Sequence, residues 1–126
     1  MLLKNLLLVF LGGGLGSLGR YMISLMCAKY QLCYNDFPLH TFLVNITGCL
    51  LIGLAIGFFM QNPNRQMQLF CVVGFCGGFT TFSTFSLDFI NLWKTGQTGM
   101  ASLFLFLSVT VCLLMTLLGI YLMRAK

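Results

Sequence analysis

The chain has 126 residues, of which 59% are hydrophobic and only 7% charged, and its mean hydropathy is +0.96. A water-soluble domain of this length carries about a quarter charged residues, so that class is excluded and a membrane protein is indicated. The formal charge of +5 then reads as attraction to an anionic membrane surface, with no nucleic-acid partner expected.

A helix crosses a bilayer core with about 20 apolar residues, and four such windows fit, over 3–28, 39–60, 67–93 and 101–123. Short connections separate them and leave no room for a soluble domain, so the predicted fold is a single all-α transmembrane domain. The opening "MLLKNLLLVFLGGGLGS" (1–17) has signal-peptide features, with Lys4 ahead of an apolar run and small residues after it. Apolar character continues past Arg20, and removal would leave an odd number of spans, so the run is read as the first helix. Its "GGGLGSLG" (12–19) has the small-xxx-small spacing that lets helix backbones approach closely, as does "GCLLIGLAIG" (48–57) in the second window.

The first connection, "KYQLCYNDFP" (29–38), ends in Pro38, a residue suited to a helix start. The second window holds Thr41, Asn45 and Thr47. An asparagine inside a span offers donors and an acceptor without titrating, and serves either as an interhelical hydrogen bond or as an amide for a desolvated anion. Asn62-Pro63-Asn64 then marks a tight turn, making the second and third spans an antiparallel neighbouring pair.

The third window contains "GFCGGFTTFSTFS" (74–86), uncharged and full of glycines, hydroxyls and phenyl rings. Gly77-Gly78 and the threonines and serines after them are poor helix formers, which predicts a break in the middle of the span. A break at that depth requires the freed backbone groups to be buried in protein or to meet an ion. Freed carbonyls suit a hard cation, and the hydroxyls, including Ser83 and Thr84, suit either sign of ion. Phe82 and Phe85 lie on one face with Phe79 within reach, and a phenyl ring presented by its positive edge attracts an anion without a charge that would trap it. Asp88 follows near the end of the span. In the fourth window Ser108, Cys112 and Thr116 recur every fourth residue and share one helix face, with Thr110 off it.

Of the six cysteines only Cys33 falls clearly in a loop. With no CxxC or Cys/His spacing, thiolate metal binding is not expected, and the cysteines read as small apolar packing residues. The eight methionines read as lipid-facing or gap-filling. Four spans put both termini and the second connection on one side, where Lys4, Arg65, Arg124 and Lys126 face Lys29 and Lys94 opposite. So small a bias is compatible with insertion in both orientations and hence with an antiparallel dimer.

Three stretches, "GGGLGSLGRY" (12–21), "HTFLVNITG" (40–48) and "GFCGGFTTFSTFS" (74–86), together resemble the Fluc, or CrcB, family of bacterial fluoride channels, and the likeness covers essentially the whole chain. The resemblance implies an antiparallel, dual-topology homodimer in the bacterial inner membrane, with two fluoride pathways and a structural Na⁺ at its centre. Asn45 is then the pore amide, Phe82 and Phe85 supply ring edges, and Gly77 and Thr80 offer backbone carbonyls to Na⁺. Ser108, Cys112 and Thr116 form a polar track, Thr41 and Asp88 lie near the end of the pathway, and Arg20 sits at an aqueous vestibule. The chain departs from the family pattern at His40, usually Gly, at Asp88, usually Glu, and at Cys112, often a hydroxyl. The shorter carboxylate arm puts the contact with Thr41 in question.

The expected function is passive, fluoride-selective export giving fluoride resistance, by a channel that is not an enzyme. A proton-coupled small multidrug exporter would share the span count but needs a titratable acid in the membrane, and the first span has none. An accessory subunit whose polar residues only pack helices is the third class.

Overall fold

The computed structural model describes residues 1–30 and 37–124. Cys33 and Lys126 lie outside the described residues. The spans become α1 (Leu2–Lys29), α2 (Leu39–Gln61), a divided third span and a final helix. The first part of the third span, α3, runs through a turn of α-helix at Arg65–Gln68, a π-helix at Leu69–Cys76 and a short turn at Gly77–Phe79. Its second part is α4 (Phe82–Lys94), and α5 (Thr98–Arg124) closes the chain. All four spans are long and apolar enough to cross a membrane.

The boundaries follow local chemistry. Pro38 immediately precedes α2, and its carbonyl accepts the Phe42 N–H at 3.1 Å. The Asn64 side chain caps α3 by accepting the N–H groups of Gln66 and Met67, both at 3.1 Å. Between α4 and α5 the chain reverses at Gly96, whose φ of 78° is open to glycine at little cost.

Two glycine seams organise the bundle. In the first, Gly12 and Gly16 of α1 face the backbone of Phe70 and Phe75, while a Cβ added at Gly74 would meet the Val9 carbonyl at 2.9 Å. In the second, Gly53 faces the Thr116 carbonyl, and a Cβ at Gly119 would lie 2.6 Å from the Leu50 carbonyl. The first run therefore faces α3, and Gly53 and Gly57 of the second face α5, while Gly48 faces Phe79 and Thr80 at the break; consecutive α2 and α3 share less surface than either seam. Close approach of backbones supplies the van der Waals contact that association in lipid depends on.

The break falls inside the predicted stretch, at its threonines and not at its glycines. Gly77 stays helical (φ −64°, ψ −36°), and the chain leaves the helix at Thr80 (φ −75°, ψ 156°) and Thr81 (φ −148°, ψ 117°). Gly78 is pressed against the backbone of Gly13, so here the missing side chain serves packing. The β-branched threonines accept extended backbone, and Thr81 can cap the helix that begins at Phe82. The π-helix ahead of the break was not foreseen, because an unbroken apolar run fits either helical period.

Side-chain burial is concentrated between α4 and α5, where Phe85, Leu92, Ala101 and Phe104 form a core with Phe37 and Phe42 against it. Large apolar residues such as Phe10, Phe106 and Leu117 point outward, as a lipid-facing surface requires.

Candidate ion pathway at the broken helix

The break is held by one side chain. Asn45 Nδ2 donates to the Thr81 carbonyl at 3.1 Å, and Asn45 Oδ1 accepts the Thr81 N–H at 2.9 Å. The amide thus replaces the helical acceptor of the Thr81 N–H, which a membrane interior demands, and adds a donor to the carbonyl that opens the next helix. Thr81 Oγ1 in turn accepts the Thr84 N–H at 3.1 Å and caps α4, with the hydroxyls of Ser83 and Thr84 at 3.1 and 3.0 Å.

These bonds redirect donors. In an uninterrupted helix the Thr81 N–H would bond to the Gly77 carbonyl and the Thr84 N–H to the Thr80 carbonyl. Both N–H groups turn to side chains instead, so the Gly77 and Thr80 carbonyls lose their helical donors, as do those of Gly78 and Phe79, whose donors would be the first N–H groups of α4. Of these, Gly78 takes Ser17 Oγ at 3.3 Å and Arg20 Nε at 3.4 Å. The Thr80 N–H and hydroxyl both go to Cys76, at 3.0 and 2.9 Å. Oxygen donors of this kind match a hard cation such as Na⁺, and Gly77 is exposed. The Gly77 and Thr80 carbonyls therefore fit the expected ion in donor type. Among the described residues no group of three or more His, Cys, Asp or Glu side chains converges as an alternative.

Beside the break lies a cavity of about 250 Å³ lined by Asn45, Phe82, Phe85, Ser108 and Cys112, with Cys49, Thr80, Thr81 and Val109 completing it. Phe85 is 7% exposed and Phe82 79%, with ring centroids 5.5 Å apart and planes tilted by 39°. The Ser108 hydroxyl is buried, with no hydrogen-bond partner among the described residues. An unpaired hydroxyl in a dry wall is costly unless something else occupies the space before it. Thr116 lies outside the cavity, its hydroxyl shared between the carbonyls of Cys49 at 3.2 Å and Cys112 at 3.1 Å. Ser83 is exposed and does not line the cavity either.

A second polar cluster stands towards the other end of α4. The buried Thr41 hydroxyl donates to Asp88 Oδ2 at 2.6 Å, so the shorter aspartate does reach it. A hydroxyl has one hydrogen, so the contact between Thr41 Oγ1 and His40 Nε2 at 3.1 Å needs its proton on the imidazole. Arg20, Ser24, His40, Thr41 and Thr84 surround a small cavity of about 50 Å³, while His40 and Asp88 also border a mouth of about 470 Å³. Of the predicted residues, Asn45, Phe82, Phe85, Ser108 and Cys112 thus line the cavity beside the break, while Arg20, Thr41 and Thr84 line the smaller one, with Asp88 bonded to Thr41.

Sequence reasoning counted Thr81 among the helix breakers but missed it as the N-cap and the partner of Asn45, although a threonine ahead of "FSTF" has the form of an N-cap. It missed Phe104, fully buried with its ring 5.1 Å from Phe85, although Phe104 continues the fourfold spacing of Ser108, Cys112 and Thr116. It also missed Cys49, one turn beyond Asn45.

Residues 7–120 match the family model described as "CrcB-like protein, Camphor Resistance (CrcB)". The chain is similar to a protein of Azobacteroides pseudotrichonymphae named "Fluoride-specific ion channel FluC", with 37% identity over 94% of each chain. Proteins of the same name from Bacteroides fragilis and Flavobacterium psychrophilum are 41% identical, covering 95% of this chain and 96% of theirs, and 42% identical, covering 94% and 95%.

Proposed function

We propose that this chain, which belongs to the CrcB-like family, is a fluoride-selective channel of the bacterial cytoplasmic membrane and exports fluoride by passive electrodiffusion. The observation that supports this most is the buried, unpaired Ser108 hydroxyl facing a cavity it shares with the Asn45 amide and the Phe82 and Phe85 rings. A small, strongly hydrated anion needs donors to replace its water, and conduction needs those donors weak enough to let it leave. Neutral hydroxyl, amide, thiol and ring-edge dipoles meet both conditions. Cys112 and Thr116 extend the track, Ser83 and Thr84 contribute hydroxyls near the break, and Thr41 with Asp88 marks the far end. Arg20, bonded to the Gly78 carbonyl, draws anions towards the vestibule. Export relieves fluoride that enters as neutral HF from acid surroundings and ionises inside.

The working unit in this reading is an antiparallel, dual-topology homodimer. Phe82 is 79% exposed next to the cavity, and a second copy would cover it and close the open side of the pathway. The Gly77 and Thr80 carbonyls would hold Na⁺ there. A resident cation of this kind would compensate carbonyls deprived of their helical donors and fix the two halves of the third span.

The decisive experiment is fluoride efflux from liposomes loaded with potassium fluoride or potassium chloride, started by valinomycin with no proton gradient. Rapid release of fluoride and not chloride is expected. Release that begins only when a proton gradient or an organic cation is supplied would replace the channel by a coupled transporter.

A further inference from the structure

α2 and α5 bring together two cysteines that lie 63 positions apart in the sequence and share no local motif. Cys49 is one turn beyond Asn45 and Cys112 one turn beyond Ser108, and both line the 250 Å³ cavity. The Thr116 hydroxyl bonds to the carbonyls of both, at 3.2 and 3.1 Å, which sets the two residues side by side across the α2–α5 contact with their thiols near enough to interact. The pair is held in place: the Thr116 hydroxyl ties the Cys49 carbonyl to α5, and the Gly53 and Gly119 contacts lock the next turn.

We infer that Cys49 and Cys112 form a two-coordinate binding site for a soft, thiophilic cation, set in the wall of the cavity. Soft cations select thiolate ligands, and those that favour linear coordination are satisfied by two opposed sulfurs. Zn²⁺ would require four ligands, and among the described residues no group of three or more His, Cys, Asp or Glu side chains is present to supply them. Binding a divalent ion such as Hg²⁺ forms two metal–sulfur bonds and breaks two S–H bonds. Both protons leave to solvent, so the bis-thiolate product is neutral. Neutrality suits a low-dielectric wall, where a charged complex would be penalised. Because the helices already hold the thiols together, little ordering is lost on binding. The bound ion would stand beside Asn45 and Ser108 and obstruct fluoride. That effect on flux rests on the channel reading, whereas the binding does not.

The test uses the full chain carrying Cys27→Ala, Cys33→Ala, Cys71→Ala and Cys76→Ala, titrated with mercuric chloride while thiolate-to-mercury absorption and free thiols are followed. Saturation at one equivalent is expected, with both thiols lost together. Affinity should exceed that of either single-cysteine chain by about 100-fold, the gain from making the second bond intramolecularly. Two equivalents per chain, or one thiol left reactive, would overturn the site. In case the four-alanine chain fails to fold, mercury should also slow fluoride efflux by the natural chain, dithiothreitol should restore it, and Cys49→Ala or Cys112→Ala should abolish the slowing relative to each variant's own untreated rate. Slowing that persists in both single variants would overturn the blocking role. No fluoride movement by the untreated chain would remove the channel reading and leave the titration to decide the site.

Discussion

Up to Phe79 the third span sets Gly74 and Gly78 against α1, so that its backbone touches another backbone. Beyond Thr81 it presents Phe85 and Leu92 to α5, Asp88 to Thr41, and Phe82 outward. The first half is fixed by the absence of side chains and the second by their presence. Asn45 joins the two, since it alone bonds both backbone groups of Thr81. Rigidity on one side and selective chemistry on the other are thus divided between segments of a single span, and the polar cost of the joint is met from α2.

Substitutions can break this division, and the largest effect is expected in the glycine half. Gly16→Val forces a branched side chain into the Phe75 backbone, which is unable to retreat. Overpacking of this kind costs about 3 kcal/mol, and the variant should lose its monodisperse peak in detergent. A well-folded Gly16→Val chain would show that the seam is looser than its geometry.

At the joint, Asn45→Ala leaves the Thr81 N–H unmatched at membrane depth, at a cost of about 2 kcal/mol. Both thermal stability and fluoride efflux should fall. Asn45→Asp retains the acceptor for the Thr81 N–H but loses the donor, so it should be intermediate in stability. If Asn45→Ala melts like the parent, the break is held by something else.

In the second half, Thr41→Val removes the hydroxyl that donates to Asp88, and a hydrogen bond to a charged group is worth about 1.5–3 kcal/mol. The Phe82→Ile and Phe85→Ile pair separates transport from packing. Both should depress fluoride efflux, but only Phe85, buried against Phe104, should also lower the melting temperature. Equal flux in parent and Phe82→Ile would withdraw the role given to that ring.

The smallest change sharpens the comparison most cheaply. Gly14 neighbours the seam glycines, but nothing lies within 4 Å of a Cβ added there. Gly14→Ala should therefore stabilise the helix by about 0.5–1 kcal/mol, read as a raised melting temperature. Destabilisation instead would mean that a second copy of the chain approaches at Gly14.

The four spans, the close-packing glycines and the polar residues at membrane depth were legible in the sequence because composition and periodicity are local, and lipid permits few alternatives. The interruption of the third span was legible for the same reason, through the clustering of poor helix formers. Which residues of that stretch would yield was left open: Gly77 and Gly78 are the weakest helix formers, yet they stay helical, and Thr80 and Thr81 yield because Asn45, 36 positions from Thr81, receives the freed backbone. Only tertiary structure decided which carbonyls lose their donors, that Asp88 reaches Thr41, and that Cys49 and Cys112 line one cavity. Each depends on where two helices stand relative to one another, and that distance is set by backbone contact along the seams.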